Sequence, residues 1–398
     1  MMHKAPAVDG PAREPARIPG RVHWTELFFD LVFVVFVGQL AHGIHGDPGW
    51  VEFGTYVLLF FPAWWAWVNI VSIINLLPGL SSRALGLAML AAMAAAGVMA
   101  AAAPEALGNR AWAFSLANAV LRTILLILWL YRHQETSNGI PWRIWAYNGG
   151  TAVLWFVAAL LPFAAAVILW AAAIVAEVAM AALSGWFWAE RGIAEINIEH
   201  AAERLGQFVI IVLGESVFTI VTELSDAWTP GAGLDASLGF AIVALLGWAF
   251  FHYGTGTMSA GLEALRSRSD YAGILQTTLF MPFLLVLGVT AIAGAIATAI
   301  PGPHDSLPLG SGICLGGGIA LFYLTNAVVS LRYGQRPGTV LPWALPTVVL
   351  SLVLIPLSAT VSSSAVLSAA VALLLLVTAY VELHGRIRRR ARAATRPA

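Results

Sequence analysis

Long apolar runs separated by short polar breaks fill the chain from residue 25 almost to its end. Twelve runs approach or exceed the roughly 20 residues a helix needs to cross a ~30 Å hydrocarbon core. They lie at 25–44, 51–76, 84–103, 111–131, 146–161, 163–188, 202–223, 236–254, 273–299, 309–331, 340–360 and 365–384. Short alternating strands of a membrane barrel are not their pattern. Backbone surrounded by lipid must close its hydrogen bonds internally, so the runs are read as helices. The fifth run is short and Pro162 separates it tightly from the sixth, which leaves one kinked helix as the alternative there. The expected fold is all-α, a polytopic membrane helix bundle of about twelve transmembrane helices.

Basic residues orient that bundle. With twelve crossings and the N-terminus inside, 19 of the 21 basic residues fall on the cytoplasmic side; Arg110 lies outside and Arg122 lies within a span. This bias is the positive-inside rule. It predicts a multi-pass protein of the inner (cytoplasmic) membrane with both termini cytoplasmic. Arg13, Arg17 and Arg21 resemble the start of a signal peptide, but Glu26 and Asp30 interrupt the run that follows, so the first helix is expected to be retained. Six arginines between Arg386 and Arg396 follow the last run directly. That placement suits an anionic leaflet, not a nucleic acid.

Composition agrees. The chain is 59% hydrophobic and 11% charged, against about 45–50% and about 25% in soluble domains. Cys314 is the only cysteine, which excludes an internal disulfide and a thiolate metal site. Phosphate-loop, zinc-protease, serine-hydrolase and dinucleotide motifs are absent from the sequence. His200-x-x-Glu203 has the spacing of carboxylate–histidine metal bundles but stands alone. No metal, cofactor or nucleic-acid partner is expected, and the chain is not read as an enzyme. Oligomeric state is left open.

The order of features suggests an internal duplication. His23 and Glu26 open the first run; His200 and Glu203 open the seventh at the same offset, and Asp30 is matched by Gln207. The second run of each set is aromatic (Trp64, Trp65 and Trp67; Trp248, Phe250, Phe251 and Tyr253), and the fourth carries Asn-Ala-Val at Asn118 and at Asn326. Six spans separate the copies, so they would share one orientation, as parallel repeats do. The expected organisation is an N-terminal tail (1–22), two six-helix parallel repeats (23–190 and 191–384) and a basic C-terminal tail (385–398).

Ionisable groups inside a membrane are costly, about 2.5–3.5 kcal/mol each at a helix centre, and so point to function. Glu26 and Asp30 are four residues apart, on one helix face. Two acids on one face repel unless a proton, a cation or an arginine relieves them. Glu203 and Arg204 start the seventh run, and Glu215 lies about 18 Å further along the same helix than Glu203. Glu26, Asp30, Glu203, Arg204 and Glu215 are therefore the candidate proton, cation or substrate site, with Arg122, Glu177, His200, Trp65 and Asn118 in support. Structural pairing is the competing reading: Arg122 with Glu177 or Glu215, and Glu26 with Arg204. The expected partners are membrane lipid and a transported proton, monovalent cation or small solute. A membrane-embedded enzyme acting on lipid is the alternative, with the paired acids and His200 or His252 as acid–base groups.

Residues Trp24-Thr25-Glu26-Leu27-Phe28-Phe29-Asp30-Leu31-Val32-Phe33-Val34 resemble the opening signature of the bacterial low temperature requirement protein A family. Glu203-Arg204-Leu205-Gly206, followed by Leu213-Gly214-Glu215-Ser216, is similar to its second signature. The resemblance covers about Val22 to Leu383. It implies a many-span membrane protein and no particular molecular activity. It also implies a histidine in the region where this chain reads Ser269-Asp270-Tyr271-Ala272-Gly273, so the chain departs from the pattern there. Phe28-Phe29-Asp30-Leu31-Val32-Phe33 is similar, too, to the first-helix motif of two-repeat potassium channels of endolysosomes and bacteria, which implies a cation channel as a further alternative.

Overall fold

The computed structural model describes residues 24–76, 82–136, 142–184 and 197–394. His23, Arg191, the expected N-terminal tail, the boundary between the two expected repeats and the last four residues lie outside them.

Twelve helices account for nearly all of the described chain: α1 (Trp24–His42), α2 (Trp50–Asn75), α3 (Ser82–Ala102), α4 (Ala111–Thr136), α5 (142–159), α6 (Phe163–Ser184), α7 (Ile198–Asp226), α8 (230–267), α9 (Tyr271–Ala299), α10 (Leu309–Arg332), α11 (Pro337–Ser358) and α12 (Ser363–Ala394). Eleven of them are long and apolar enough to cross a membrane. The other is α5, the short fifth run of the sequence, which a π-helical turn at Trp145–Gly149 interrupts. At about 1.5 Å per residue it is still about 27 Å long. It is separate from α6 and runs back along α4: Trp155, near its end, meets the ring of Phe114, near the start of α4, at 6.1 Å. Trp170, in the first half of α6, stands 5.1 Å from the same Phe114. The chain thus returns across the bundle between α4 and α6.

The same helix pairs recur along the chain. In the first six helices α1 packs on α3, α3 on α4, α4 on α5 and α5 on α6; in the last six α7 packs on α9, α9 on α10, α10 on α11 and α11 on α12. Small residues set the closest approaches. Gly318 of α10 lies so near α9 that a methyl group there would stand 2.7 Å from the Gly288 carbonyl oxygen, and Gly316 is equally tight against the Ser351 carbonyl of α11. Glycines allow this packing in lipid, where apolar burial contributes little to helix association.

Among the polar contacts that join the first six helices to the last six, two sets lie at opposite ends of α2. At its C-terminal end the Asn75 side chain bonds both backbone groups of Asn197, the residue that caps α7. Beyond its N-terminal end the Gly46 N–H donates to Thr298 Oγ1, and Ser311 Oγ donates to the Gly46 carbonyl.

Candidate functional site

Helices α1 and α7 meet side by side at the centre of the molecule, and each presents two ionisable residues one turn apart. Glu26 and Asp30 project from α1; His200 and Arg204 project from α7. The four-residue spacing on both helices places each pair on one face. Arg204 Nη1 donates to Glu26 Oε2 and its Nη2 to Asp30 Oδ1, both at 2.7 Å. His200 Nε2 stands 3.3 Å from the same Glu26 oxygen. Glu26, Asp30 and Arg204 are all buried.

Aromatic residues close the site on the α2 side. Trp67 Nε1 donates to Asp30 Oδ1 at 2.7 Å. The Trp67 ring stacks at 5.1 Å on Trp64 and lies 4.4 Å from Phe208 of α7. Trp64 is itself anchored to the Leu279 carbonyl, in a π-helical turn of α9. Beyond Trp67 a cavity of about 70 Å³ extends past Val71, Ser72 and Asn75 toward the end of α2. It is large enough for water.

This cluster is incompletely satisfied. Asp30 Oδ2, Arg204 Nε and Gln207 Oε1 are buried without a hydrogen-bond partner. Two carboxylates share one guanidinium, with the His200 ring beside Glu26 as the second basic group. A buried acceptor without a donor costs about 1–3 kcal/mol, and more when it is charged. A proton or a cation would relieve the open oxygens.

Glu215 forms a second station further along α1 and α7. Its carboxylate packs against Gly38 so closely that any side chain at 38 would collide with it. His42 follows one turn later on α1, its ring 4.9 Å from that of His45. Between Asp30 and Gly38 lie about 12 Å of helix. In that stretch Phe33, Val34, Phe36 and Val37 of α1 are all buried, Phe36 against Phe114 of α4.

The other expected residues divide differently. Glu203 points away from the cluster and is exposed, and accepts a 3.4 Å hydrogen bond from Gln207 Nε2. Arg122 and Glu177 form a separate, fully buried pair between α4 and α6. Arg122 Nε and Nη2 donate to the two Glu177 oxygens at 2.8 and 3.0 Å, Nη1 donates to Asn118 Oδ1, and Nη2 also reaches the Pro62 carbonyl. The guanidinium lies 5.7 Å from the centre of the Trp155 ring. All its nitrogens are used, which is the signature of a structural clamp and the opposite of the Arg204 cluster. Trp65 sits beside this pair, bonded through Nε1 to the Tyr147 hydroxyl. Sequence reasoning missed Tyr147, and it had Trp67 only as one of the aromatic residues of the second run. It also missed Asp235 of α8, fully buried and bonded to Ser363 and Ser364 at the start of α12. Asp235 lies in the second turn of its helix, where an acid looks like an ordinary dipole partner.

The two segments that carry the family resemblance, on α1 and α7, are thus the two that build the cluster. Residues 21–379 match the bacterial low temperature requirement A protein (LtrA) family. The chain belongs to that family. Among its relatives is an uncharacterized protein of Rhizobium meliloti (strain 1021), 27% identical over 295 residues, which are 72% of this chain and 70% of the relative. Of the LtrA signature residues in this chain, Glu26, Asp30 and Arg204 converge; Glu203 and Glu215 do not join them.

Proposed function

We propose that this LtrA family protein moves a proton or a monovalent cation across the bacterial inner membrane along the α1–α7 interface. The observation that carries the reading is the unsaturated buried cluster, in which Glu26 and Asp30 share Arg204 and leave Asp30 Oδ2 open. Structural clamps are expected to be saturated, as Arg122–Glu177 is. A water-sized cavity lies beyond Trp67, the residue that bonds Asp30, toward one end of the bundle. Glu215 and His42 supply a second polar station toward the other.

The apolar stretch between the stations favours a carrier over an open channel. An ion crossing about 12 Å of packed valine and phenylalanine would lose its hydration, so the helices must move for transport to proceed. Two parallel six-helix repeats suit such motion. The recurring helix pairs support that organisation, as does the register of α1 against α7: Gly38 faces Glu215 at the offset that separates Glu26 from Glu203. The distribution of basic residues supports cytoplasmic termini.

Reconstitution into proteoliposomes tests the reading, with pH- and potential-sensitive dyes under proton, potassium and sodium gradients. Asp30→Asn replaces the open carboxylate at nearly constant shape and should lower a selective flux at least about tenfold. A folded Asp30→Asn protein that transports like the parent would overturn the assignment of the site.

A further inference from the structure

A cavity of about 600 Å³ opens among α7, α8, α9, α10, α11 and α12. It lies at one end of the bundle, where α7, α9 and α11 begin and α8, α10 and α12 finish. Along α10 its lining runs from Phe322 to Tyr333, a depth of about 16 Å. The deep part is apolar, walled by Val209, Phe250, Met281, Leu285 and Phe322; Gln335, Thr339 and His384 are at the other end. Thr325 lines the space between, and its hydroxyl is buried without a hydrogen-bond partner. The volume is that of a ligand site.

Three arginines stand at the turn next to the polar end, just outside the residues that line the cavity. Gly334 makes the turn between α10 and α11 with φ +87°, and the Arg268 guanidinium from the end of α8 lies against it, 2.9 Å from where a Cβ would be. Arg332 and Arg336 flank the same turn. All three arginines are exposed, and none has a carboxylate partner among the described residues. Helices α10 and α11 contain no acid at all. Glu263 of α8 is paired with Arg266, Glu382 of α12 with Arg386, and Asp270 caps the first turn of α9.

We infer that this cavity binds an anionic amphiphile, its acyl chain running inward past Thr325 to Phe322 and its acidic headgroup held by Arg268, Arg332 and Arg336. The depth, the apolar interior and the arginine-rich rim together match one chain with one acidic head. A basic pocket between helices near the membrane surface is a known way to hold anionic lipid heads. The site is separate from the acid cluster and needs no assumption about transport.

Displacement of a fluorescent hexadecanoate analogue from the purified full chain tests this. Palmitate should compete at least about tenfold better than hexadecanol. The triple variant Arg268→Gln, Arg332→Gln, Arg336→Gln should remove that preference while still binding both. Ser330→Phe, which fills the cavity, should abolish displaceable binding with the protein still folded by thermal melting. Native mass spectrometry of protein extracted from its own membrane would distinguish a retained phospholipid from a free fatty acid; either supports the site if Ser330→Phe loses it. Equal competition by acid and alcohol, or undiminished binding in folded Ser330→Phe, would overturn the inference.

Discussion

The interior of α4–α6 and the interior of α10–α12 answer the same packing problem in opposite ways. Asn118 of α4 and Asn326 of α10 each sit in an Asn-Ala-Val segment, and each donates its amide to the carbonyl four residues earlier. One turn further on, α4 has Arg122 where α10 has Ser330. Around Arg122 the space is closed by Glu177, Asn118, Pro62 and Trp155. Around Ser330 it is open, as part of the 600 Å³ cavity. One arginine–glutamate pair separates a sealed bundle core from a binding space on an otherwise similar pattern of helices. Polar residues in a membrane are therefore not equivalent evidence of function: the saturated pair fills, and the short hydroxyl leaves room.

That contrast can be broken most forcefully by removing half of the sealing pair. Glu177→Leu leaves Arg122 buried and unpaired, which should cost about 3–5 kcal/mol, read as a lowered unfolding midpoint in detergent. Joining it with Arg122→Met should recover most of the loss. A neutral Glu177→Leu would mean that the pair is not what holds α4–α6 closed. Enlarging one side chain in each region makes a second, smaller test. Ala117→Leu in the sealed core should cost about 1–3 kcal/mol. Ser330→Leu in the open one should change stability by less than about 1 kcal/mol, since the added atoms enter existing space.

Both buried ion pairs were legible in the sequence as possible partners, because a charge in an apolar helix needs one. Their different roles were not. Sequence spacing places Glu203 beside Arg204, yet Arg204 is buried and Glu203 is exposed. The physical reason is that these helices are apolar on every side, so hydrophobic periodicity does not reveal which face turns inward. Helix α1, for instance, has almost no amphipathic bias. Rotation is set instead by hydrogen bonds from other helices, such as Trp67 to Asp30, and by glycine contacts, such as Gly38 with Glu215. The spans were legible for the converse reason: length and apolarity are properties of one segment, while a cavity belongs to six.

The smallest expected effect concerns a loop of the first six helices that packs on α9. Burial against Gly294, with His42 nearby, holds His45 well below the ordinary histidine range, at about 4. The unfolded chain takes up this proton near pH 6.5 and the folded chain only near 4. Between those values the unfolded state binds more protons, so this contribution to stability is lost as pH falls. His45→Gln should flatten the decline of the melting temperature from pH 6.5 to 4, and an unchanged slope would show that the loop does not stay docked.

The joints at Asn75–Asn197 and at Gly46–Thr298–Ser311 set an energy scale for motion. The first consists of two neutral hydrogen bonds; the second adds to its two a bond from the Gly310 N–H to the Asp47 carboxylate. At about 1 kcal/mol net per neutral bond, undoing the first costs about 2 kcal/mol, and the second costs more because one acceptor is charged. In the proposed transport cycle, rocking the first six helices against the last six would undo one joint while the other stays fastened, a step of a few kcal/mol that binding of one charge can supply.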